Sequence, residues 1–226
     1  MRYFLLPIAA LAFPLSPVNA GPGVLETDCH AGGTQQDGSY QFVATCAGKS
    51  RSPDGRFVIV QRPYVDRQPP IELRNGHGRL LRTFANLSDD MPFSVSWAPN
   101  SRWFYVNHHV GSFMDDIQIF QISGASAIER ANLKKAAIRV ATNRYPCLPR
   151  SMVLPNGVRW LRDGLHIVIV TVSRPSTCQE FGERGGTFHS LWMIGDVRGG
   201  RIDPSSIRVQ PDDLPFKAPT DGPYSR

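Results

Sequence analysis

The chain has 226 residues, 41% hydrophobic and 19% charged, with a formal net charge of +6 at pH 7. That composition excludes wholesale disorder and a multi-span membrane protein, and the length suits one domain with a sizeable core. Gly and Pro together make about 17% of the chain against a usual ~12%, which marks many turns and argues against a helical bundle.

Residues 1–20 place Arg2 before an apolar run over 3–15 and end on Pro17-Val18-Asn19-Ala20. This is the pattern of a secretory signal peptide cut after Ala20. The run is too short for a membrane span and contains Pro7 and Pro14, so an uncleaved anchor is the weaker reading. No other stretch approaches eighteen apolar residues, so the mature chain is expected to be soluble, in the periplasm or outside the cell. Four cysteines follow, Cys29, Cys46, Cys147 and Cys178. An even count in an exported chain reads as two disulfides, of which nearest-neighbour pairing is the preferred of three connectivities. No spacing is short enough for a CxxC zinc or redox site, and no metal or cofactor is expected.

The first repeating unit begins at Arg51-Ser52-Pro53-Asp54-Gly55-Arg56-Phe57-Val58-Ile59-Val60. Ser52-Pro53-Asp54-Gly55 has the residues of a type I turn, and a β-branched run follows it. Ile71-Glu72-Leu73-Arg74 and 79–84 flank Asn75-Gly76, a strong hairpin signal. The second unit repeats the shape at Trp97-Ala98-Pro99-Asn100-Ser101-Arg102-Trp103-Phe104-Tyr105-Val106. Here Ser101 replaces Gly, at a cost of about 1 kcal/mol if that position is left-handed. Phe93, Val95 and Trp97 alternate before the corner, and Ile117 to Ile122 turns through Ser123-Gly124 towards Ala127-Ile128. Residues 129–141 then carry Leu133, Ala136, Ala137 and Val140 at helical spacing, followed by the turn-rich Tyr145-Pro146-Cys147-Leu148-Pro149. The third unit is Trp160-Leu161-Arg162-Asp163-Gly164-Leu165-His166-Ile167-Val168-Ile169, with Val158 before it. Its second hairpin is Ser190-Leu191-Trp192-Met193-Ile194, turning at Gly195-Asp196 towards a strand near Val197 or Ile202. The tail over 210–226, rich in Pro and Asp, reads as a flexible end to a single domain over 21–209.

Four antiparallel strands per unit, with 46 residues from Gly55 to Ser101, describe β-propeller blades. The 63 residues from Ser101 to Gly164 leave room for the inserted helix. The expected fold is therefore all-β, a small or partial propeller of three to four four-stranded blades. Trp97-Ala98-Pro99-Asn100, Ser52-Pro53-Asp54-Gly55, Trp160-Leu161-Arg162-Asp163-Gly164 and Asp116-Ile117-Gln118-Ile119-Phe120 resemble the TolB-like branch of WD-type propeller repeats over roughly 40–205. The resemblance implies export, a β-propeller and protein–protein contacts in the cell envelope. Three units, with a candidate fragment over 40–46, fall short of the four blades a closed ring needs: the ring is open, or a divergent N-terminal sheet completes it, or two chains associate.

Strand alternation puts the short turns at one end and the connections 62–70, 108–115, 173–187 and 129–156 at the other. The long-connection end is therefore the expected working face, and Cys147 and Cys178 both emerge there. His108-His109 and Asp115-Asp116 have metal-ligand chemistry, but alternation lets only one His and one Asp converge. His166 and His189 have no partner in sequence, and Asn75-Gly76-His77-Gly78 lacks the helix of a phosphate loop. Asp89-Asp90 and Asp212-Asp213 read as solvated links. The Asn86-Leu87-Ser88 sequon matters only in a eukaryotic route. Trp97, Trp103, Trp160 and Trp192 read as blade core, with a sugar platform second. No hydrolase elbow or HExxH motif is present. Of 25 basic residues only Lys49, Lys134, Lys135 and Lys217 are Lys; the scattered Arg fit GC-rich coding better than an anionic surface. The expected function is a non-catalytic envelope binding module with a protein partner, or secondarily an anionic glycan or lipid surface. The alternative is a carbohydrate-binding or hydrolytic enzyme at the same face. A nucleic-acid partner is not expected.

Overall fold

The computed structural model describes residues 32–35, 38–43, 46–62, 71–84, 87, 92–109, 115–173, 189–211 and 217–225. The leader with its cut after Ala20, Cys29, Cys178, Asn86, Asp89, Asp90, Asp212 and Asp213 lie outside them. The chain enters through β1 (Gly33–Thr34) and β2 (Tyr40–Phe42). The first unit supplies β3 (Gly48–Arg51), β4 (Phe57–Gln61), β5 (Ile71–Asn75) and β6 (Leu80–Phe84), a four-stranded antiparallel sheet in sequence order. The second supplies β7 (Phe93–Trp97), β8 (Trp103–His109), β9 (Asp115–Ser123) and β10 (Ser126–Glu129). The fragment near residue 40 forms no blade of its own: β2 adds antiparallel to β7, giving the six-stranded order β1-β2-β7-β8-β9-β10.

The third unit supplies β11 (Pro155–Trp160), β12 (His166–Ser173), β13 (His189–Asp196) and β14 (Arg201–Ile202). Its fourth strand is broken in two. A 3-10 turn over Pro204–Ser206 interrupts it, and β15 (Arg208–Pro211) resumes pairing with β13. Ser206 patches the gap, its Oγ accepting the Ile194 N–H at 2.8 Å. Val197 belongs to the turn rather than to a strand.

The three corners have one backbone structure. Gly55, Ser101 and Gly164 are left-handed, with φ of 70°, 55° and 64°. Their N–H groups donate to Ser52, Ala98 and Leu161 carbonyls at 2.8, 2.9 and 3.0 Å. Asp54, Asn100 and Asp163 each accept from the backbone N–H two residues on, at 3.0, 2.9 and 2.9 Å. The corners also bond in series. The Asp54 N–H donates to Ser101 Oγ at 3.0 Å, and Asn100 Nδ2 donates to the Gly164 carbonyl at 2.7 Å. Register repeats as well: Phe57 pairs with Asn75, Trp103 with Gln121 and His166 with Asp196. Trp97 and Trp160, both half-buried, reach back one unit, their indole N–H groups donating to Ser50 Oγ and the Ser96 carbonyl at 3.1 Å each. Trp103 and Trp192 are core.

Alternation gives the first sheet one apolar face and the middle and third sheets two, so the sheets stack. Ile59, Leu73 and Phe84 meet Phe93, Val95, Phe104 and Phe120 of the middle sheet. The other face of the middle sheet, with Trp103, Tyr105, Ile117 and Ile119, meets Ile167, Ile169, Leu191 and Met193. Helix α1 (Asn132–Arg144) buries Leu133, Ala137 and Ala141 in that second layer. It begins three residues later than expected because Glu129 stays in β10, opposite Phe120. Gly195 makes the docking possible: a Cβ there would lie 2.5 Å from Leu133 Cδ1.

The sheets do not close into a ring. On the outer face of the first sheet, Lys49 and Arg51 are exposed and Arg74 pairs with Glu72 at 2.7 Å. The outer face of the third, with Val168, Val170, Trp192 and Ile194, is covered by Tyr224. At Tyr224 the tail expected to be flexible over 210–226 is packed instead. Tyr224 is 1% exposed and its hydroxyl donates to the Ser206 carbonyl at 2.7 Å. Arg208 pairs with Asp221, and the Arg159 guanidinium donates to the Tyr224 carbonyl at 2.6 Å. The apolar face of Trp192 needs a cover, and Tyr224 supplies it.

Candidate binding surfaces at the two ends

At the long-connection end, strand register brings one predicted His and one predicted Asp together. Phe42, Phe93, His108 and Asp116 are successive cross-strand partners. Phe42 and Phe93 stack at 4.5 Å between ring centroids. Alternation with Phe104 and Val106 turns His108 towards the first sheet. His108 is 7% exposed, and its Nε2 has no hydrogen-bond partner. Asp116 Oδ2 accepts from the Lys134 ammonium at 2.5 Å, while its Oδ1 has no partner. Thr171, near the same end of β12, is fully buried with an unpartnered Oγ1. His109 and Asp115 form the next pair of the ladder. Among the described residues no three His, Cys, Asp or Glu side chains group as metal ligands.

Among the described residues, His189 and His166 have partners of their own. His189 shares a 3.1 Å hydrogen bond with the Tyr145 hydroxyl. Burial raises the Tyr145 phenol above its ordinary value. His166 Nδ1 lies 2.5 Å from Asp163 Oδ2, at the third corner and the opposite end. Burial would raise the Asp163 carboxyl, but hydrogen bonds from the Leu165 N–H and His166 hold it below the ordinary range. Cys46 and Cys147 are disulfide-bonded, and no described cysteine is free. Their nearest-neighbour partners lie outside the described residues.

The short-turn end, where the sequence reading places no site, holds clefts between consecutive units. The first, about 260 Å³, has Arg56, Phe57 and Asn75 on one wall and Gly124 and Ala125 on the other. The second consists of two depressions of about 290 and 270 Å³ sharing Trp103, Gln121 and Arg198. Arg102, Trp103 and Gln121 are the repeat equivalents of Arg56, Phe57 and Asn75, so the clefts are variants of one device. They differ in charge. Arg56 is neutralised by Asp54 at 2.6 Å, and hydrogen bonds from Ser52 and Arg56 overcome burial to hold that carboxyl low. At the equivalent position the second unit has Asn100. The clue in the sequence was this change from Asp54 to Asn100 with the following Arg kept. Compared with known proteins, the chain matches no family model, no curated protein and no solved structure.

Proposed function

We propose that the chain is an exported, non-catalytic binding module of the cell envelope, built on TolB-like blade repeats and engaging a protein partner through the long-connection end. One observation carries this reading: His108 Nε2, Asp116 Oδ1 and Thr171 Oγ1, three buried polar atoms without partners, lie at that end. Buried polar groups are nearly always satisfied, so such atoms call for a bound water or for a group brought within reach when a partner docks at that end. The three hydrogen-bonded corners support the blade reading, in which successive sheets are rotated copies of one unit. A carbohydrate-binding or hydrolytic role is the second reading, favoured by His108 standing opposite Asp116.

A photo-crosslinking residue at exposed Arg62, on the long-connection end, compared with one at exposed Arg79, on the short-turn end, tests the proposal. The mature chain in living cells should form a discrete protein adduct from position 62 and none from 79. Adducts from 79 alone would reverse the assignment of faces. No adduct from either, with glycan retention lost in His108→Ala, would favour the second reading.

A further inference from the structure

We infer that the cleft between the second and third units at the short-turn end binds a phosphate-bearing ligand. Three arginines from positions far apart in sequence line its two depressions: Arg102, after the second corner, lines one, Arg130, after β10, lines the other, and Arg198, in the turn after β13, lines both. Arg130 is already held, donating to Gln121 Oε1 at 3.0 and 2.7 Å. Among the described residues Arg102 and Arg198 make no side-chain ion pair. Among the described lining residues Asp163 is the one carboxylate, and its oxygens are engaged by His166 and by the Leu165 and His166 N–H groups. Asp196, beneath the turn, accepts the Arg198 backbone N–H.

Positive charge is therefore in excess in a concave site, where field lines concentrate. Guanidinium forks match phosphate oxygens bidentately, which lysine does not. The first cleft acts as an internal comparison. It has the same Arg, aromatic and carboxamide, yet Asp54 already occupies the guanidinium. Replacing that carboxylate by Asn100 frees the charge while keeping the corner's Asx hydrogen bond. Asn132 adds a carboxamide to the lining for ligand hydroxyls. The first turn of α1 lies on the same side without a capping side chain or an acidic residue, though the guanidinium groups carry the inference without it.

The site is distinct from the long-connection end, so either proposal can fail alone. The test is titration of the mature chain with inorganic phosphate at constant ionic strength, read by backbone amide shifts. Arg102, Gln121 and Arg198 should shift saturably in the millimolar range. Arg102→Gln and Arg198→Gln should each weaken binding roughly tenfold, the loss expected for one charge-assisted hydrogen bond. Arg139→Gln, an equal charge change on the exposed side of α1, should leave it within about twofold. Absence of saturable shifts, or an equal effect of Arg139→Gln, would overturn the inference. A sugar phosphate and phosphatidylglycerol vesicles, against phosphatidylcholine controls, then separate a soluble ligand from a lipid headgroup. Whichever binds more weakly in Arg198→Gln identifies the source.

Discussion

Ser101 offers a direct measurement of how the corners are coupled. Its φ of 55° is the left-handed conformation that an L-residue adopts at a cost of about 1–2 kcal/mol. It is 2% exposed, and its Oγ accepts the Asp54 N–H from the neighbouring unit. Ser101→Ala keeps the backbone strain and removes the acceptor, a loss of about 1 kcal/mol for one hydrogen bond. Ser101→Gly removes the same acceptor but relieves the strain, and loses about 0.4–1 kcal/mol through the freer unfolded chain. The Gly variant should therefore lie close to the parent, and the Ala variant about 1 kcal/mol below it. In melting temperature that is ~2–4 °C for a domain of this size. Urea unfolding of the mature chain with disulfides intact is the assay. Equal stability of the two variants would refute the claim that the corner is strained. An Ala variant as stable as the parent would refute the bond between units.

Asn107 clasps Gly157 from both sides, donating to its carbonyl at 2.6 Å and accepting its N–H at 2.9 Å. Asn107→Leu should cost about 2–4 kcal/mol in urea unfolding, since both backbone groups are buried. Burial pushes the Tyr224 phenol up to about 12. A phenol raised in the folded state adds stability below its unfolded value near 10, and that stability is lost as pH rises from ~10 to ~12. Alkaline unfolding followed at 295 nm should therefore shift in Tyr224→Phe, which keeps the ring and cannot ionise. Thiol alkylation and peptide mapping of the exported chain should find Gly21 at the N-terminus and the pairs Cys29–Cys46 and Cys147–Cys178; other pairs would refute nearest-neighbour bonding.

The corners were legible in the sequence because their causes are local. Asx at the third position and a left-handed residue at the fourth define each turn within four residues, with Pro at the second in the first two corners. Helix α1 was legible from its period and misplaced by three residues, because the pairing of Glu129 with Phe120 is tertiary. The pairing of β2 with β7 spans some fifty residues of chain, and nothing in Tyr40-Gln41-Phe42 names its partner. The tail misled for a related reason. Pro and Asp suggest disorder, but a single Tyr224 with an apolar face to cover outweighs them. The meeting of His108 and Asp116 follows from strand register, foreseen only as an upper limit of one of each. The clefts at the short turns depend on how neighbouring units abut, which no window of sequence contains.

The segment carrying Tyr224 seals the outer face of the third sheet. A further duplicated unit placed after Pro211 would have to displace Tyr224 from Trp192, and the charged side chains of the opposite sheet discourage growth at the other extremity. New material is accommodated between units instead, as α1 already shows by wedging between the second and third. Diversification of such a scaffold should therefore proceed by inserts at the junctions between sheets.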